Sequence, residues 1–268
     1  MSKISEKQRI VIKLGTSTLA HSTGRINLRR MNNLVRIISD IHNSGKEVII
    51  VSSGAIGLGM GKLGLKERPT DTQTKQACAA VGQCELMYMY DNLFDEYGIT
   101  VAQILLTKAT IENERKKNVE NTFKKLLEAN VIPIVNENDT VAIDELELEI
   151  GENDSLSAIV ASLAKADLLI ILSDIDGLYS SDPHKSDNAK LIPVVTEISS
   201  YIENIAGGSG SNLGTGGMTT KINAGKIATE SGIDMVIMNG ANPERLYDLF
   251  EDKSVGTLFL APTPQEQL

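Results

Sequence analysis

Apolar, β-rich residues gather in short continuous blocks at 9–14 (RIVIKL), 47–51, 100–106, 132–135, 167–172 and 233–238, with a last block at 257–260. Runs of this length bounded by Gly, Ser, Asn or Asp predict buried strands. Between them apolar positions recur at helical spacing: Leu28, Met31, Val35 and Ile38; a long stretch over 75–97; 118–129; Leu156, Ile159, Val160 and Leu163; Ile222, Ala224, Ile227 and Ala228; and a helix near 243–250. Strand and helix alternate along the chain, which predicts the α/β class with a mainly parallel sheet and helices on both faces.

Polar residues collect where these strands end. Asn136, Glu137, Asn138 and Asp139 follow one strand; Ser52, Ser53 and Gly54 a second; Ser173 and Asp174 a third; and Lys13 with Gly15 ends the first. In open α/β sheets ligands bind at the carboxyl ends of strands. Leu146, Leu148 and Ile150 alternate with Glu145, Glu147 and Glu149, a period of two that predicts one arm of a hairpin. Next come Gly151, Glu152, Asn153, Asp154 and Ser155, at the start of a helix. Each cluster has a plain structural reading beside the functional one. Asn, Asp and Ser cap helices, Asx residues make turns, and Lys13 is equally a snorkelling strand-end lysine. The functional readings are a pocket holding Asp139, Asn153 and Asp154, and an anion cradle of Gly15 amides beside Lys13.

The segment 206–221, AGGSGSNLGTGGMTTK, has a linker's composition, yet it runs straight into a helix, which places Gly216, Gly217 and Lys221 near first-turn amides that favour anions. Gly59, Gly61 and Gly64 spell GxGxxG, but they do not directly follow a strand, and no Gly-Lys pair is followed by the Ser or Thr of a Walker A loop. A Met and Tyr stripe with Met87, Tyr88, Met89 and Tyr90 reads as core or subunit contact.

Composition narrows the classes. With 268 residues, 41% of them hydrophobic, the chain builds a sizeable core. A formal charge of −9 without clustered Lys or Arg argues against nucleic acid as partner. No apolar run of about 18 residues and no signal-peptide core predict a cytoplasmic protein without membrane attachment. Cys78 and Cys84 read as reduced thiols, and His21, His42 and His184 form no metal or nucleophile constellation. What remains is two lysines beside glycines, Lys13 and Lys221, with an acidic cluster between them. Phosphoryl transfer needs that kind of positioned charge. No general base stands out, and a carboxylate acceptor, ionised above about pH 4, needs none.

Six motifs in chain order carry a resemblance: IVIKLGTS at 10–17, VSSGAIGLG at 51–59, NENDTVA at 136–142, GENDSLSA at 151–158, SDIDGLYSSDP at 173–183 and GTGGMTTK at 214–221. Over essentially the entire chain the sequence resembles the glutamate 5-kinases of the amino acid kinase family. The resemblance implies a three-layer α/β/α sandwich and transfer of the ATP γ-phosphoryl group to the side-chain carboxylate of L-glutamate, the first step of proline biosynthesis. It implies Lys13 and Lys221 flanking the transferring phosphoryl with Asp154 holding both, and glutamate contacts at Ser53, Asp139 and Asn153. ATP contacts are implied at Lys13, Ser173, Asp174, Thr215, Gly216, Gly217, Met218, Thr219, Thr220 and Lys221, and phosphoryl contacts at the backbone near Gly15 and Gly54. Mg²⁺ is expected on the ATP phosphates with no protein ligand assigned, L-proline as a feedback inhibitor, and a homo-oligomer, dimer or tetramer. A single kinase domain over 1–268 is expected, binding glutamate in about 1–165 and nucleotide in about 166–261, without the PUA module many members carry. The competing readings are an acetylglutamate kinase or aspartokinase type, and a non-catalytic nucleotide-binding protein on the same fold. A free ammonium on the substrate asks for partners such as Asp139, which favours glutamate over an N-acylated substrate.

Overall fold

Most of the apolar blocks become strands buried on both faces, which makes the runs continuous rather than alternating, while the block at 100–106 forms an edge strand that is only partly covered. The computed structural model describes residues 3–21, 25–111, 113–141, 153–183, 186, 188–207 and 217–262. Along the chain, β1 (Arg9–Leu14) precedes α1 (Thr16–Leu19) and α2 (Leu28–Asn43), and β2 (Glu47–Ser52) precedes α3 (Ala55–Leu63) and α4 (Thr72–Asp95). Then β3 (Val101–Leu106) leads to α5 (Lys108–Ile111) and α6 (Asn113–Glu128), and β4 (Ile132–Glu137) ends the first half of the chain. The rest holds α7 (Asn153–Ala164), β5 (Leu168–Ser173), β6 (Val194–Val195), α8 (Ser200–Gly207), α9 (Met218–Glu230), β7 (Asp234–Asn239), α10 (Arg245–Phe250) and β8 (Thr257–Phe259).

Two compact units share these elements, Leu14–Asn153 on the one hand and Met1–Lys13 with Asp154–Leu268 on the other. In the first, the strand order is β3-β4-β2 with both pairs parallel, Ile50 opposite Ile134 and Leu106 opposite Glu137. In the second, the order is β1-β5-β7-β8-β6, with β5 and β7 parallel from Leu168 opposite Asp234 to Ser173 opposite Asn239. The α/β class and mainly parallel pairing agree with expectation. The exception is β8, antiparallel to β7 and parallel to β6. Parallel register carries the residues after each strand to one edge: Asn136 and Glu137 at the end of β4 in one unit, Ser173 beside Asn239 in the other.

Several details depart from the sequence pattern. Leu28 opens the apolar stripe of α2 yet is 57% exposed, because the first turn, capped by Asn27 accepting from the Arg30 amide, faces out. The Met and Tyr stripe of α4 divides: Tyr90 is fully buried with its hydroxyl on Ser52, whereas Tyr88 is 64% exposed. The two residues of β6 are too short a run for periodicity to flag, and α8 was not foreseen. The predicted hairpin around Leu146 to Ile150 and most of the glycine-rich segment lie outside the described residues. Among the described residues no helix is long and apolar enough to cross a membrane.

Glycines let α3 and α4 approach backbone to backbone. A Cβ at Gly59 would sit 1.8 Å from the Cys78 carbonyl oxygen, and one at Gly82 would sit 1.7 Å from that of Ala55. Gly59 of the GxGxxG string is therefore a packing residue, as its position in mid-helix suggested. Gly59→Ala should destabilise the protein by about 3 kcal/mol or more, the upper range for overpacking, since a carbonyl and not a flexible side chain blocks the methyl group. A urea midpoint equal to that of the parent would show that the helices separate without cost.

Candidate active site

Asp154 stands in the first turn of α7 with no exposure to solvent. Its carboxylate meets the Lys13 ammonium at 2.7 Å through Oδ1 and the Lys221 ammonium at 3.2 Å through Oδ2. The Thr220 hydroxyl lies 2.9 Å from Oδ2 and 2.9 Å from the Gly217 carbonyl, so it divides one hydrogen between the two. Burial pushes the Asp154 pKa up, but the charges of Lys13 and then Lys221, with hydrogen bonds from Lys13 and Thr220, outweigh it and hold the carboxyl below the ordinary range. Lys13 comes from the end of β1 and Lys221 from the first turns of α9, both buried. Three elements far apart in sequence thus converge on one carboxylate. The capping reading does not describe Asp154, whose oxygens are occupied by the two ammonium groups and Thr220.

In the Leu14–Asn153 unit a second polar cluster is built from amides. Asn153 Nδ2 faces the Ser52 carbonyl at 2.5 Å, Ser53 Oγ at 2.7 Å and Asn136 Oδ1 at 3.1 Å. Asn136 Oδ1 also accepts from the Glu137 amide at 2.9 Å, and its Nδ2 donates to Gln83 Oε1 at 2.8 Å. The amide polarities follow without ambiguity. A backbone carbonyl only accepts, so Asn153 turns its nitrogen to Ser52; a backbone N–H only donates, so Asn136 turns its oxygen to Glu137. Two hydrogens of Asn153 Nδ2 serve three acceptors, which leaves Asn153 Oδ1 as the group it can offer a ligand. Ser53, accepting from Asn153, keeps its own O–H to donate. Beneath this, Ser52 Oγ and the Tyr90 hydroxyl share a buried hydrogen bond of 2.9 Å, and burial drives the Tyr90 pKa well above its usual value.

Asp139 is half-buried in the turn closed by Val141 N to Asn138 O at 3.1 Å, three residues beyond Asn136. The turn reading of this stretch therefore holds for Asn138, whose side chain takes the Thr140 hydroxyl, while Asn136 belongs to the amide cluster. Gly54 adopts φ +97°, a left-handed turn open to glycine, and begins α3 with no side-chain cap, so first-turn amides of that helix remain available. Gly15 begins α1 with ordinary extended backbone, φ −76°.

At the ends of β5 and β7, Ser173 Oγ donates to Asp174 at 3.1 Å and the Gly240 amide donates to the Ser173 carbonyl at 2.7 Å. Asp176, absent from the sequence-based site, is held by Asn239 at 2.9 Å and by the Tyr179 hydroxyl at 3.2 Å. Gly217 begins α9 without a side-chain cap, Met218 is buried, and Thr219 Oγ1 lies 3.5 Å from the Ala206 carbonyl. Thr215 and Gly216 lie outside the described residues. Structure thus joins Lys13, Asp154, Thr220 and Lys221 in one cluster and Ser53 with Asn153 in another. Gln83, Asn136, Ser52 and Tyr90 enter through contacts that no local motif announces.

Comparison with known proteins identifies the family. A protein of Clostridium perfringens (strain 13 / Type A) named glutamate 5-kinase is 56% identical over 261 residues, covering 96% of this chain and 97% of that one. A Clostridium tetani protein of the same name is 54% identical over 259 residues, covering 96% of each chain. Among solved structures, a UMP kinase from Ureaplasma parvum superposes with a TM-score of 0.68 at 20% identity, over 95% of this chain and 99% of that one, a likeness of fold. The model of the amino acid kinase family matches residues 8–239, and with that span and those identities the chain belongs to the amino acid kinase family.

Proposed function

We propose that this protein transfers the γ-phosphoryl group of ATP to the side-chain carboxylate of L-glutamate, giving L-glutamyl 5-phosphate, the first step of proline biosynthesis. The observation that carries the reading is the convergence of Lys13 and Lys221 on buried Asp154, and the relatives named glutamate 5-kinase supply the substrate. An oxygen of the glutamate carboxylate attacks the γ-phosphorus in line as the bond to the β,γ-bridging oxygen breaks, and ADP leaves with that electron pair. Lys13 and Lys221 stabilise charge on the transferring group, and Asp154 fixes their ammonium groups in advance of reaction. No base is required, because the acceptor is already ionised at neutral pH. Ser53 donates to a substrate carboxylate, and Asn153 Oδ1 with Asp139 receives the α-ammonium. ATP is held by Ser173, Asp174 and the first turns of α9, with backbone amides near Gly15 and Gly54 on phosphoryl oxygens. Asp154 is engaged by its lysines, and among the described residues no cluster of three His, Cys, Asp or Glu side chains offers a metal cage. Mg²⁺, carried on the nucleotide phosphates, would neutralise part of their charge.

Glutamate-dependent ADP release tests the activity, with N-acetylglutamate and aspartate as alternative acceptors. Turnover is expected with L-glutamate, and faster turnover with either alternative would overturn the assignment. Lys221→Ala should lower kcat by roughly 10²–10³, the scale for one positioned donor to transition-state charge, with the fold retained.

Asp154→Asn should collapse kcat and also change the acid limb of stability. Because the folded pKa lies below the unfolded one, Asp154 stabilises fully above about pH 4 and loses that contribution as pH falls through its depressed folded value. The stability gap between parent and variant should thus narrow from pH 7 toward pH 3. A gap independent of pH would show that the carboxylate charge is not what the lysines stabilise.

Asp139→Ala should raise the KM for glutamate far more than that for ATP and should weaken inhibition by L-proline, which carries the same ammonium and α-carboxylate. An unchanged glutamate KM would remove Asp139 from the site. Undiminished proline inhibition beside impaired glutamate binding would mean that proline binds elsewhere.

A further inference from the structure

Position 83 lies on the face of α4 that packs inward with Ala79, Gly82, Leu86 and Tyr90, where the helical pattern calls for an apolar residue. Gln83 is buried there, and its Nε2 has no hydrogen-bond partner among the described residues. A buried donor left unsatisfied costs stability that Leu or Met at the same place would not, so the residue needs a reason to be polar. Its other amide atom supplies one. Gln83 Oε1 takes the Asn136 Nδ2 hydrogen at 2.8 Å, while Asn136 Oδ1 faces Asn153 Nδ2 at 3.1 Å. The neighbouring Gly82 abuts the Ala55 carbonyl, which sets this turn of α4 against the start of α3, next to Ser53 and Gly54.

We propose that Gln83 is a positioning residue of the glutamate site, fixing through Asn136 the orientation in which Asn153 presents Oδ1. The inference rests on the reading that Asn153 binds glutamate. Without the Gln83 acceptor, the buried Asn136 Nδ2 loses its hydrogen-bond partner, and rotating that amide to find another withdraws Oδ1 from Asn153. Gln83 acts through Asn136, to which its Oε1 is hydrogen-bonded, and not as a substrate ligand in this proposal.

Steady-state kinetics of Gln83→Met, Gln83→Glu, Asn153→Ala and the Gln83→Met/Asn153→Ala double variant test it. Gln83→Met should raise the KM for glutamate roughly three- to tenfold, the range for coupling within one hydrogen-bond network, with the KM for ATP unchanged. Gln83→Glu keeps an acceptor for Asn136 and should recover most of the loss. The double variant should bind glutamate no worse than Asn153→Ala. Gln83→Leu, equally without an acceptor, has the same expected outcome and serves if the Met variant folds poorly. An unchanged glutamate KM in the Met or Leu variant, while Asn153→Ala raises it, overturns the positioning role alone. So does a rise in both KM values with a lowered thermal midpoint that Gln83→Glu does not recover, since that marks general loss of structure. An unchanged KM in Asn153→Ala overturns the glutamate-site reading, and the inference with it.

Discussion

A carboxylate removed entirely from water is tolerated only if its charge is met, and the Asp154 site is organised by that requirement. Lys13 and Lys221 lie on either side of it and Thr220 adds a hydrogen bond. Truncating one partner of such a buried set costs about 3–5 kcal/mol, because the others are left uncompensated. The constraint therefore acts on β1, α7 and α9 together. Whatever holds these three elements in register for stability also holds the two ammonium groups in place.

The strands were legible because burial on both faces writes itself as an unbroken apolar run, as in Leu168 to Ser173. Lys13, Asp154 and Lys221 were legible as candidates for a different reason: each stands beside glycines or at a helix start, where backbone amides are exposed and an anion can bind. What the sequence left open was the choice between capping and organising for Asp154, since both use the same residue at the same position. Only the partners decide it. Gln83 and Asn136 were harder still. A glutamine inside a helical pattern carries no mark of its hydrogen-bond partner 53 positions away, and its polarity is set by the fixed direction of the Glu137 amide. The turn at 138–141 was legible from Asn and Asp, but the role of Asn136 within the same polar run was not.

Glycine does two separate kinds of work here, and composition alone does not separate them. Gly54 is needed for its left-handed backbone, which turns the chain from β2 into an uncapped helix start. Gly59 and Gly82 are needed for absence of a side chain, which lets α3 and α4 touch through their backbones. The second kind supports the first, because close packing of α4 on α3 accompanies the turn that Gly54 makes, while α4 also brings Tyr90 to Ser52 at the end of β2 and Gln83 to Asn136 in β4.

The two clusters are held by different physics. Around Asn153 and Asn136 the hydrogen-bonded groups are neutral amides and hydroxyls, whose directions are set by a backbone donor at Glu137 and a backbone acceptor at Ser52. The other cluster is held by charge, Asp154 between Lys13 and Lys221, an attraction that falls off slowly with distance. The chain passes between the units at Lys13–Leu14 and at Asn153–Asp154. One peptide bond thus joins Asn153, whose amide holds Ser52, Ser53 and Asn136, to Asp154, whose carboxylate meets Lys13 and Lys221.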